Sequence, residues 1–292
     1  MFYVNVADIL KQRRPDTKKA SGYYPRKSPA DTDPLVENQE GKVTVKTERG
    51  SGLFSPQSST LHHEYELYRQ LSPSQGVPSV YWHGHHRFKR GHACGWRYYL
   101  VLERLGPTLH HAVQVRLGRP RLASSGLFFS LEEIADIGKQ MVSTLKFIHR
   151  KNFIHGDVQP RKIVYDLSFK RMLLIGFGAT QDLEPLPRLP AGAESSIVFS
   201  SRFHQQGDAL SRRDDMESLG YVLVFLFRGQ LPWQAHGMAA DSILSMKSSI
   251  ATENLCSGLQ PLCEYMNSVK ALASDQIPDY DNLSRMLGLL AS

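Results

Sequence analysis

The residues best able to do chemistry lie in two short segments, Phe147-Ile148-His149-Arg150-Lys151-Asn152-Phe153-Ile154-His155-Gly156-Asp157-Val158-Gln159-Pro160 and Leu174-Ile175-Gly176-Phe177-Gly178, with Lys162 between them. A carboxylate such as Asp157 can orient or deprotonate a hydroxyl. The pairs His62-His63, His85-His86 and His110-His111 invite a metal reading, but adjacent residues on a helix or strand do not face one site. They read as surface or structural histidines, and no metal site is expected.

Both segments need elements to hold them. Ser130-Leu131-Glu132-Glu133 is a capping box, and Ile134, Ile137, Met141, Leu145 and Ile148 line one face of a helix running to about His149. A second capping box, Ser211-Arg212-Arg213-Asp214, opens a stretch whose Leu219, Val222, Leu223, Phe225 and Leu226 leave almost no polar face, so this helix belongs in the centre of a lobe. Upstream, Phe2-Tyr3-Val4-Asn5-Val6 and Lys42-Val43-Thr44-Val45-Lys46 have strand character, His62 to Leu71 has helical spacing, and Arg97 to Glu103 is a further β-type run. Leu105-Gly106-Pro107 can serve as a hinge between a small β-rich region and a large helical one. From Lys11 to about Gly41 the chain is polar, basic and Pro-containing, as a surface loop or disordered insertion would be.

Composition bounds what these elements can build. With 292 residues and 41% hydrophobic content, the chain can bury one large core or two lobes sharing a cleft. Its longest apolar stretch, around Leu219 to Phe227, is far short of the roughly 20 residues that cross a bilayer. No membrane span or secretory signal is expected. Cys94, Cys256 and Cys263 are odd in number and lack zinc or redox spacing, which points to free thiols in a reducing compartment, the nucleus or cytoplasm. The net charge of +7 favours acidic partners, and the basic insertion could contact nucleic acid or act as a nuclear-import address, a solvated linker being the plainer alternative.

The two chemical segments resemble the catalytic loop and the metal-binding loop of protein kinases. Leu105-Gly106-Pro107-Thr108-Leu109, Ser211 to Tyr221 and Leu231-Pro232-Trp233 look like casein kinase 1, while His155-Gly156-Asp157 and Glu264 to Leu272 look more like the vaccinia-related branch. The resemblance covers nearly the whole chain apart from the basic insertion. It implies an α+β, two-lobed protein-kinase-like fold: a truncated β-rich N-lobe over residues 1–103, with the insertion at about 11–41, and a helical C-lobe over 104–292. Phe2 to Asp8 resembles the strand after the glycine-rich loop, so the first strand and that loop are expected to be missing.

The same resemblance assigns roles residue by residue. Lys46 matches the phosphate-holding strand lysine, Glu64 its helix partner and Asp157 the catalytic base. Thr44 stands where alanine usually meets adenine, Val164 would form the opposite apolar wall, and Glu103 belongs to the nucleotide-binding set. Tyr68, His155 and Phe177 match a hydrophobic spine, and Asp215 the anchor of the catalytic loop. Arg212 and Arg213 could hold an anion or simply pair with neighbouring acids.

Three positions depart from the pattern: Gln159 replaces a lysine, Lys162 a metal-ligating asparagine and Gly176 the metal-binding aspartate. Asp157 could then be a base or only a hydrogen-bonding residue of the loop, and Lys162 a cation substitute or a plain salt-bridge lysine. The resulting expectation is a pseudokinase, not an enzyme, that acts as a regulatory or scaffold protein. Its partner would be a protein, such as an active kinase relative or that kinase's substrate. No cofactor is expected, unless ATP binds without magnesium. The alternatives are a weak or metal-independent serine/threonine kinase, and a nuclear DNA- or chromatin-associated module.

Overall fold

The computed structural model describes residues 2–5, 42–51, 59–72, 74–90, 93–117, 129–182, 197–234 and 237–292. The basic insertion lies outside the described residues. Two compact units divide the chain: one comprises Met1–Ser72 and Pro78–Leu105, the other Pro73–Val77 and Gly106–Ser292.

In the first unit, strands β1 (Phe2–Asn5), β2 (Lys42–Ser51), β3 (Val80–Arg90) and β4 (Ala93–Leu102) form one antiparallel sheet in the order β1-β2-β4-β3. Alternation along β2 sends Val43 and Val45 to one face, where they pack with Val101 and with Tyr81, Trp82 and Tyr99. Lys46 and Glu48, two apart, share the other face. Helix α1 (Thr60–Leu71) lies on that side and buries Leu61, Glu64, Leu67, Tyr68 and Leu71. Ser59 caps it, accepting from the Leu61 amide, and Glu48 Oε2 accepts from Ser59 Oγ (3.0 Å), Thr60 Oγ1 (2.8 Å) and the Leu61 N–H (3.2 Å). A carboxylate at a helix N-terminus satisfies unpaired amides and complements the helix dipole. The strand thereby grips the helix that must present Glu64.

The second unit is built around helices. Helix α2 (Leu109–Leu117) precedes α3 (Leu131–Arg150), and Ser130 and Glu133 close the expected capping box at 3.1 and 2.8 Å. Glu133 also receives a two-pronged ion pair from Arg116, at 2.7 and 3.0 Å. Four short strands follow: β5 (Phe153–Ile154), β6 (Ile163–Tyr165), β7 (Met172–Leu174) and β8 (Gln181–Asp182), paired as β5-β8 and β6-β7. Short helix α4 (Arg202–Gln205) leads to α5 (Arg212–Arg228), then α6 (Ala240–Ser249), α7 (Thr252–Leu255), α8 (Gln260–Lys270) and α9 (Tyr280–Gly288).

Helix α5 is buried from Arg213 to Leu226, as its lack of a polar face requires. Burying each Leu or Val fully contributes roughly 1.5–3 kcal/mol, so Leu219, Val222, Leu223 and Leu226, all with no exposed surface, make this helix the core of the unit. The Ser211–Asp214 capping box starts it and Gly229, at φ 79°, ends it. Cys256 and Cys263 are buried free thiols. Among the described residues no helix is long and apolar enough to cross a membrane.

Candidate active site

Each unit carries its own part of the candidate site. In the strand-rich unit, the Lys46 ammonium is ion-paired with Glu64 Oε1, while Glu64 Oε2 is buried without a hydrogen-bond partner among the described residues. Thr44 is fully buried, and its hydroxyl accepts the Leu105 N–H at 3.0 Å. That contact supplies the partner a hydroxyl needs in place of alanine, and it engages the Leu105 amide. Glu103 accepts from the Ser79 N–H at 3.1 Å, and Tyr68 is buried in the core of this unit.

In the helical unit the two chemical segments are loops held by short β-pairs. Residues 155–162 run between β5 and β6, and 175–180 between β7 and β8. Asp215, fully buried on α5, organises the first loop. Its Oδ2 accepts from the His155 N–H (2.8 Å) and from His149 Nε2 (2.9 Å), and its Oδ1 accepts from the Gly156 N–H (2.8 Å). Burial alone would raise the Asp215 carboxyl, but these donors outweigh it and hold the group below its usual value. Tyr280 meets the other side of the His149 ring, its hydroxyl 2.8 Å from Nδ1.

His155 is locked as a neutral imidazole. Its Nδ1 accepts the Asp157 N–H at 3.2 Å, so Nε2 carries the proton directed at the Ile175 carbonyl, 3.3 Å away. Complete burial pushes its pKa down, which agrees with that tautomer. Its ring meets Phe177 edge-on, with centroids 5.1 Å apart. Two of the three expected spine residues therefore touch within this unit.

The three substituted positions converge on one spot. Gln159, buried, donates its side-chain amide to Asp157 Oδ1 at 2.5 Å, and Lys162 Nζ stands 3.4 Å from Asp157 Oδ2. The Lys162 backbone is tied at both ends: its N–H donates to the Gln159 carbonyl and its carbonyl accepts the Ile175 N–H, each at 2.8 Å. Pairing of Ile163 with Leu174 brings Lys162 level with Ile175 and its side chain against Gly176. A Cβ at Gly176 would lie 2.8 Å from both Lys162 Nζ and Cδ. Lys162 thus fills the space into which a side chain at 176 would extend. Gly176 has φ 86°, a left-handed conformation that suits glycine.

The remaining candidates have other partners. Val164 is buried in β6 opposite Leu173. Arg213 is buried, with its guanidinium 3.4 Å from the centroid of the Phe203 ring and ion-paired to Asp208 at 3.2 Å. Arg212 precedes it on the first turn of α5, where it is partly exposed. Two residues that matter to the site escape sequence reasoning. Glu48 is signalled only by its i+2 relation to Lys46, and His149 only by its place in the last turn of a helix directed at the loop.

Magnesium, which a kinase-like loop implies, does not fit the residues present. Among the described residues no group of three His, Cys, Asp or Glu could hold a metal ion. Of the two positions that the resemblance gives as metal ligands, 162 carries an ammonium, which repels a second cation, and 176 carries no side chain.

The fold, the Lys46–Glu64 pair and the loop aspartate define a protein kinase domain. That family matches residues 38–277, and the chain belongs to it. It is similar to a probable casein kinase I homologue of Encephalitozoon cuniculi (strain GB-M1), with 28% identity over 267 residues, covering 86% of this chain and 80% of that protein. These likenesses overturn the expectation of a non-enzyme: a protein kinase domain and a casein kinase I relative point to a protein kinase. The substitutions on which that expectation rested leave the loop aspartate in place, with Gln159 and the Lys162 ammonium both beside its carboxylate.

Proposed function

We propose that this protein is a slow serine/threonine protein kinase of the casein kinase 1 type. The observation that carries this reading is the catalytic-loop aspartate. The loop before Asp157 is anchored by two backbone N–H bonds to Asp215, and its carboxylate is oriented by Gln159 and Lys162. Kinase chemistry is mostly positioning and charge neutralisation, and the residues for positioning are present.

In the proposed reaction the hydroxyl oxygen of a Ser or Thr side chain attacks the γ-phosphorus of ATP, and its proton passes to the Asp157 carboxylate. The bond from the γ-phosphorus to the β,γ-bridging oxygen breaks, and ADP leaves. Lys46, held by Glu64, neutralises phosphate charge. Losing one electrostatic contact to a transferring phosphoryl group slows transfer by about 10³-fold or more, so the rate should be low but above background.

The test is transfer of radiolabelled phosphate from ATP to dephosphorylated casein, compared with the Asp157→Asn variant. Transfer by the native chain that falls about 10³-fold or more in the variant supports the reading. Transfer no faster than in the variant overturns it.

A further inference from the structure

We infer that the Lys162 ammonium replaces the metal ion of this kinase site, so that the protein binds the phosphates of a nucleoside triphosphate directly and without a divalent cation. The inference deepens the kinase reading, on which it rests for the class of ligand.

Three observations carry it. First, Lys162 is placed by the backbone: bonds to Gln159 and Ile175 and the β6–β7 register fix its Cα beside Gly176. Second, its ammonium occupies the position required. Nζ lies 3.4 Å from Asp157 Oδ2 and 2.8 Å from the point where a side chain at 176 would begin. A cation held by side chains at 162 and 176, the two metal-ligand positions of the resemblance, would have to stand beside Gly176, where Nζ now lies. Third, Gly176 leaves that space open to the lysine: a Cβ there would stand 2.8 Å from its Nζ and Cδ, and the flexible end of Lys162 would have to shift. The two substituted positions are thus in contact, the end of the Lys162 side chain lying in the space beside Gly176.

The charge balance agrees. With Gly176 the spot carries one carboxylate instead of two, and one ammonium offsets it. An ammonium has three N–H donors, and Asp157 engages one face of it only. With 27% of the side chain exposed, Lys162 can turn donors towards phosphate oxygens. Metal-free ATP carries more negative charge than its magnesium complex, so it should be the preferred ligand.

The experiment measures nucleotide binding rather than transfer. Melting temperature and calorimetric titration are recorded with ATP in EDTA and with ATP in excess magnesium, for the native chain, Lys162→Met and Lys162→Asn/Gly176→Asp. The expected result is an ATP-induced stabilisation in EDTA at least as large as in magnesium. Lys162→Met should weaken binding in EDTA about tenfold or more. Aspartate tolerates left-handed backbone better than most residues, so the double variant should fold and bind ATP only when magnesium is present.

Binding by the native chain that requires magnesium overturns the inference, as does no binding in either condition, or unchanged binding by Lys162→Met in EDTA. If the double variant does not fold, the partly exposed Lys162→Met position still decides the matter. Binding in EDTA without phosphate transfer upholds this inference and sinks the kinase reading. Magnesium-dependent transfer does the reverse.

Discussion

Behind the catalytic loop and at its tip, the same few residues of chain are governed by different physics. Behind it, Asp215 is buried and every bond it makes is to a fixed donor: the amides of His155 and Gly156 and the ring of His149. At the tip, the part-exposed Asp157 carboxylate meets the buried Gln159 amide and the Lys162 ammonium, and Lys162 in turn lies against Gly176. The frame must satisfy backbone groups cut off from water, which leaves almost no freedom of residue type. The tip must supply charge at a point, and a carboxylate-held cation or an ammonium can each do that. This is how a chain can keep a kinase frame while exchanging residues at the tip of the loop.

Three measurements would break or sharpen that contrast. The largest effect on stability is expected from Asp215→Ala, which leaves two amides and a ring nitrogen buried without an acceptor. Urea unfolding should register a loss of about 3–5 kcal/mol, as for other buried pairs deprived of one partner. A loss below about 1 kcal/mol would mean the frame does not hold the loop. Next comes Gly176→Ala. Left-handed backbone disfavours alanine by roughly 1–2 kcal/mol, and its Cβ must also displace Lys162. Unfolding should show that modest loss, with ATP binding reduced in the same protein. Stability lost without any change in binding would separate Gly176 from the phosphate site.

The smallest effect is one of pH. Asp166 sits at the turn of the β6–β7 ribbon that carries Lys162. Burial works against its ionisation, but donors from Ser168, Arg171 and the Lys170 and Arg171 amides win and hold its pKa down to about 2, below the ordinary 3.8. Its stabilising contribution is full above pH 3.8 and is lost as pH falls towards 2, because the unfolded chain takes up the proton first. Asp166→Asn should therefore flatten the acid limb of the stability profile over that window. An unchanged limb would show that the ribbon does not depend on this carboxylate.

Much of this molecule could be read in advance wherever one local rule decides. The capping boxes at Ser130 and Ser211, the apolar face of α3, the all-round burial of α5 and the Lys46–Glu64 pair follow from residue spacing or from family resemblance. The substitutions at Gln159, Lys162 and Gly176 were equally legible as departures, but their consequence was not. Read along the chain they are separate losses, and together they suggested a protein without catalytic chemistry. Sequence spacing places Lys162 and Gly176 fourteen positions apart. Only the pairing of β6 with β7 brings them into contact, and only then does one residue's lost side chain become room for the other's ammonium.

The division is physical. Helix periodicity, capping and burial depend on neighbours within a few residues, so composition and order determine them. Which side chain fills the space left by another depends on register between distant strands and on the rotamer that the surrounding backbone permits. For this protein the amino-acid order determined the kinase-type frame and named the positions that differ. The tertiary structure alone decided that Lys162 meets Gly176, that Thr44 takes the Leu105 amide, and that a lysine stands beside the loop aspartate.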